Sequence, residues 1–140
     1  GRVSVLCDGY FGVDIAPSAG SYCLKRGIRA TLISGPDDLP DGWGEYLQPF
    51  DWIWACSLFT HIGRQEQQAY LAAFIARAPG LLVDILPGDR RATWERWGTD
   101  EAGFLADLDA AGYRVRAEGT DGIDTAGGAH HRYFVADRRT

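Results

Sequence analysis

The segment FDWIWACSLFTHI, Phe50–Ile62, sets the fold class. Its opening stretch Phe50–Cys56 is a near-continuous apolar run broken only by Asp51. Such a run, bounded by turn residues, reads as a central strand buried on both faces of a parallel sheet. Beyond it, Leu71, Phe74, Ile75 and Ala78 in Arg64–Ala78 recur at i, i+3, i+4 and i+7, one face of a helix. Pro79-Gly80 stops that helix, and Leu81–Leu86 (LLVDIL) reads as a second buried strand. Strand, helix and strand in this order form a crossover unit with parallel strands.

Working outward, the same alternation continues. Upstream, Arg2–Cys7 (RVSVLC) and Tyr10–Ile15 (YFGVDI) are strand-like and are separated by Asp8-Gly9, a two-residue hairpin signal. Pro17 suits the first turn of a helix and Gly27 its end, with Ala19, Tyr22 and Cys23 on one face. Arg29–Ile33 (RATLI) is the next strand, and Ser34–Pro49 is a Gly/Pro/Asp-rich loop. Downstream, a loop with Trp94 and Trp97 precedes a helix capped by Thr99 or Asp100. That helix turns Phe104, Leu105 and Leu108 inward and stops at Gly112. Tyr113–Glu118 and His131–Asp137 have no helix-length apolar segment between them and are expected to form an antiparallel pair. The expected class is α/β: a Rossmann-like, mostly parallel sheet with helices on both faces. With 140 residues, no repeat and no visible boundary, one domain spanning 1–140 is expected.

Composition narrows the partners. The net charge is −5, from 19 acids against 14 bases, and no Lys/Arg run exceeds two residues. A duplex nucleic acid, which needs a cationic surface, is therefore not an expected partner. All bases but Lys25 are Arg, which together with abundant Ala and Gly looks bacterial. No apolar stretch approaches the roughly 20 residues of a membrane span, so no membrane partner is expected. Cys7, Cys23 and Cys56 are odd in number and lack C-x-x-C spacing, which reads as reduced, buried thiols in a cytoplasmic protein. The three histidines (His61, His130, His131) do not cluster with them in sequence, so no metal site is expected.

Ligands of an open parallel sheet gather at the carboxyl ends of its strands. Asp14 ends the second strand-like run, in GVDIAPSA, where an acid can accept from both hydroxyls of a ribose or cap the helix that follows. Asp37 and Asp38, after the third strand, can accept from an exocyclic amine or form a solvated turn. Ala55, Cys56 and Ser57 are small enough for a flat ligand to approach the backbone, or simply pack in the sheet. His61, just past that strand end, is placed to act as a general base or to cap the Arg64 helix. His130 and His131 start the last strand and read as structural.

Together these segments resemble the class I S-adenosylmethionine-dependent methyltransferases, especially bacterial small-molecule ones. YFGVDIAPSA is similar to the family's second-strand motif, FDWIWACSLFTHI to its fourth, RAPGLLVDIL to its fifth-strand turn and strand, and EAGFLADLDAAGYRV and HHRYFVADR to its closing elements. The resemblance covers about residues 10–137. It implies a cofactor, S-adenosylmethionine, with S-adenosylhomocysteine as product. It implies cofactor contacts at Gly9, Asp14, Ile15, Asp37, Asp38, Ala55 and Cys56. His61 would stand near the methyl acceptor as its base.

Two positions depart from the family pattern. Where the adenine loop usually carries an acid, this chain has Gly35-Pro36. The first-strand motif is condensed: Gly9 precedes Asp14 by only five residues, against roughly 20 when a crossover helix intervenes. The first βα unit is thus expected to be truncated. Three readings stay open: a methyltransferase seen without that segment, a methyltransferase-like domain turned to binding or another reaction, and an accessory domain pairing through its open sheet edge, for instance as a homodimer. The short loop at 87–98 favours a small-molecule acceptor.

Overall fold

The computed structural model describes residues 9, 11–88, 98–120 and 131–140. The Arg2–Cys7 strand, the Asp8-Gly9 hairpin, Trp94, Trp97 and His130 fall wholly or partly outside them. The chain divides into two compact units, Gly1–Gln48 and Pro49–Thr140.

In the first unit, strand β1 (Gly12–Asp14) feeds helix α1 (Pro17–Lys25), which returns the chain to strand β2 (Ala30–Leu32). The two strands pair in parallel, with Val13 opposite Thr31. Pro17 opens α1, as its preset φ and missing N–H allow. Past Arg26, Gly27 takes φ +65° to end the helix. The Arg26 guanidinium lies over the Tyr22 ring at 3.6 Å. Tyr22 is exposed, and α1 has no buried residue. A single 3-10 turn, Pro36–Asp38, follows β2.

In the second unit, strand β3 (Trp52–Ala55) is followed by helix α2 (Arg64–Arg77), strand β4 (Gly80–Ile85), helix α3 (Glu101–Ala111) and strands β5 (Tyr113–Thr120) and β6 (Arg132–Arg138). The sheet order is β3-β4-β6-β5. β3 and β4 are parallel, with Ala55 opposite Val83. β4–β6 and β5–β6 are antiparallel, and β5 shifts register between Val115 and Ala117. The closing antiparallel pair therefore stands as expected. β3 differs from expectation: Trp52 and Trp54, on one face, are 52% and 43% exposed, while Ile53 and Ala55 on the other face are half-buried and buried. β4 is the buried central strand, with Leu81, Val83, Asp84 and Ile85 fully inaccessible.

α2 and α3 pack on each other through aromatic contacts. Phe59, from the turn before α2, lies parallel to Phe74 at 6.4 Å and meets Phe104 edge-on at 5.6 Å. Asp100 caps α3 by accepting from Gly103 N–H at 2.9 Å, and Gly112 ends the helix in the left-handed conformation at φ +102°. Between the helices, Arg64 donates to both oxygens of Asp107 at 2.8 and 2.9 Å, and Gln68 adds a third donor.

The hydrogen bond from Arg64 holds the Asp107 carboxyl below its usual range. A carboxyl depressed in the folded state contributes stability above its unfolded value, and that contribution is lost as pH falls through the folded one. The urea midpoint of the wild type should therefore fall from pH 5 toward pH 3 more steeply than that of Asp107→Asn, and parallel profiles would show that the pair contributes nothing.

Candidate functional site

In the first unit the predicted cofactor residues sit at the carboxyl ends of β1 and β2. Asp14 is the last residue of β1, and its Oδ1 accepts from Ala16 N–H at 2.9 Å. That bond closes the strand-to-helix turn. The cap itself, Ala16, forms no side-chain bond to the helix. Asp14 is exposed, and its second oxygen has no hydrogen-bond partner among the described residues. Ile15 beside it is 63% exposed. Asp38 is committed elsewhere: it accepts from the backbone N–H of Ser34 at 2.9 Å and also from the Ser34 hydroxyl. The hydroxyl bond first, and the backbone bond second, lower its pKa. Asp38 thus closes its own loop, and both it and Asp37 are exposed. Gly9 is exposed, and a Cβ there would meet the Trp43 ring at 3.4 Å.

In the second unit Ala55 is buried at the end of β3, and Cys56 and Ser57 follow. Ser57 has φ +57°, a left-handed backbone that non-glycine residues rarely adopt. The turn is tied by Thr60 Oγ1 donating to Ser57 O at 2.9 Å and by His61 N donating to Leu58 O at 3.0 Å. His61 is exposed on this turn. The Cys56 thiol is raised above its ordinary pKa, first by desolvation and then by the charge of Asp84, with Ser57 opposing through a hydrogen bond. It stays a neutral thiol at pH 7.

Two groups of this unit escaped the sequence reading. Asp84, inside LLVDIL, is fully buried; its Oδ1 accepts from Ser57 N–H at 2.6 Å and its Oδ2 lies 2.6 Å from Nδ1 of His131. A charge within an apolar strand was the available signal, since a buried carboxylate must find partners. Gln67 in α2 is buried; its Nε2 donates to Phe59 O, Ile62 O and Thr99 Oγ1, and its Oε1 is unpartnered. Among the described residues no group of three or more His, Cys, Asp or Glu could hold a metal ion. No described helix is long and apolar enough to cross a membrane.

No protein-family model and no curated protein sequence matches the chain. Solved structures do. Magnesium protoporphyrin IX methyltransferase from Synechocystis PCC 6803, with bound S-adenosylhomocysteine, superposes with a TM-score of 0.70 at 15% identity, over 99% of this chain and 68% of that one. The fold is that of the class I S-adenosylmethionine-dependent methyltransferases. The 1,6-didemethyltoxoflavin-N1-methyltransferase of Burkholderia thailandensis shares the methyltransferase fold at a TM-score of 0.66 and 16% identity, over 93% of this chain and 61% of that one. This chain thus spans about two thirds of the length of these methyltransferases. An enzyme described as a pericyclic reaction enzyme also superposes, at a TM-score of 0.62 and 9% identity, over 99% of this chain and 38% of that one.

Proposed function

We propose that the chain serves S-adenosylmethionine-dependent methyl transfer to a small-molecule acceptor. The supporting observation is the methyltransferase fold together with an exposed carboxylate, Asp14, at the end of β1 with one oxygen uncommitted. The residues suit the cofactor. Asp14 accepts from the ribose hydroxyls. Asp37 flanks the adenine, with Asp38 shaping that loop through Ser34. Gly9 and Ile15 supply neighbouring contacts, and Ala55 and Cys56 line the methionine portion. When bound, the cofactor supplies an electrophilic methyl group on a sulfonium. A thiolate beside it would compete as nucleophile, and the raised pKa of Cys56 keeps that group protonated.

His61, exposed on the turn after β3, is the group proposed to take the acceptor's proton. Holding acceptor and methyl donor in line supplies the rest of the rate. A small molecule of natural-product or sugar metabolism is the acceptor class favoured, in line with the porphyrin and toxoflavin-precursor methyltransferases among the structural relatives. The composition supports a bacterial, cytoplasmic setting. A second reading, the same fold put to another reaction or to binding alone, draws support from the match to a pericyclic reaction enzyme.

Calorimetric titration with S-adenosylhomocysteine separates the two. Methyl transfer predicts a Kd of micromolar order, about −8 kcal/mol. No heat and no thermal shift at millimolar ligand would leave the second reading.

A further inference from the structure

The buried Asp84–His131 pair is the strongest feature outside the residues assigned above. Asp84 is wholly inaccessible, and the His131 side chain is 10% exposed. A buried carboxylate is costly even when its oxygens are partnered, so stability alone does not account for one in an apolar strand. Its placement does. Parallel register puts Asp84 one step beyond the Ala55–Val83 pair, level with Cys56. Antiparallel register sets His131 immediately before Arg132, which faces Ile85. Both side chains therefore stand at the carboxyl end of the β3–β4 pair, where ligands of such sheets bind.

The carboxylate is divided between two tasks. Oδ1 takes the Ser57 N–H at 2.6 Å, and Oδ2 takes Nδ1 of His131 at 2.6 Å. Ser57 is the residue with the unfavourable φ of +57°. A non-glycine residue keeps that conformation only where its surroundings over-determine it, and such strain concentrates at functional sites. Here the determinant is visible. The Asp84 carboxylate anchors the N–H of the strained residue, and His131, a donor at Nδ1, holds the carboxylate in place.

We propose that Asp84 is a positioning residue for cofactor binding: it fixes the left-handed turn at Ser57 and so sets the backbone at Ala55 and Cys56, with His131 locking the carboxylate. The proposal rests on the reading that the end of β3 lines the methionine portion of S-adenosylmethionine.

The test is titration of the full chain and its variants with S-adenosylhomocysteine, alongside thermal unfolding and the Ser57 amide proton resonance. In the wild type that proton should lie far downfield, as expected for a short bond to a carboxylate. Asp84→Ala should weaken binding at least tenfold. Asp84→Asn, which keeps an acceptor for the Ser57 N–H, should stay within about threefold of wild type. Ser57→Gly in the Asp84→Ala background should recover most of the affinity, because glycine takes φ near +57° without cost. That recovery is what a purely structural role for Asp84 would not produce. If Asp84→Ala does not fold, the Asp84→Asn and Ser57→Gly/Asp84→Ala proteins carry the comparison. Affinity in Asp84→Ala within twofold of wild type would overturn the proposal, as would losses in every variant that merely track unfolding temperature. A wild-type chain that binds no S-adenosylhomocysteine overturns the methyl-transfer reading itself, and this proposal with it.

Discussion

Phe59→Ala is expected to destabilise the Pro49–Thr140 unit by about 3–5 kcal/mol, the range for emptying a buried phenylalanine site. Phe59 has no accessible surface. Its ring joins Phe74 of α2 to Phe104 of α3, so truncation opens a cavity between two helices that cannot both collapse into it. The backbone at the same residue accepts from Gln67 Nε2, which holds this turn against α2 and limits relaxation further. For a domain stable by 5–15 kcal/mol this is a large fraction of the total. Urea unfolding monitored by tryptophan fluorescence checks it. A midpoint within experimental error of wild type, at unchanged slope, would show that the aromatic cluster is not the core of this unit.

Asp14→Ala carries the largest expected functional effect. Hydrogen bonds from hydroxyls to a carboxylate contribute about 1.5–3 kcal/mol each, and two ribose hydroxyls share this one. The Kd for S-adenosylhomocysteine should rise by roughly 100-fold, corresponding to about 3 kcal/mol. Asp14→Asn should fall between, because the amide oxygen still accepts from Ala16 N–H and from one hydroxyl. Circular dichroism of both variants guards against loss of the turn that Asp14 closes. A change below threefold in Asp14→Ala would remove Asp14 from the binding residues and, with it, the main support for the ribose assignment.

Periodicity and punctuation were readable where they reflect local rules. α2 and α3 begin and end within a few residues of their expected limits, because Pro79-Gly80, Asp100 and Gly112 act through backbone geometry in their own vicinity. β4 is buried as LLVDIL suggests. The antiparallel closing pair followed from the lack of a crossover helix between β5 and β6. Burial was less readable. FDWIWAC has the composition of a central strand, yet Trp52 and Trp54 are exposed, since burial depends on what lies alongside a strand and not on the strand's own residues.

The 13 residues Phe50–Ile62 were enough to point to a parallel α/β fold, and the small residues at the strand end marked one place where a flat ligand could approach the backbone. Those signals are local: strand length, chain reversal and residue size are all written along the chain. The role of Asp84 is not. It joins Ser57, 27 residues before it, to His131, 47 residues after it, and only the register of β3, β4 and β6 brings the three together. Asp38 shows the converse at short range. The sequence offers two adjacent acids as equals, and the fold of one loop bonds Asp38, not Asp37, to Ser34. Hydrogen-bond partners are set by three-dimensional proximity, and that is where this chain's candidate site takes its form.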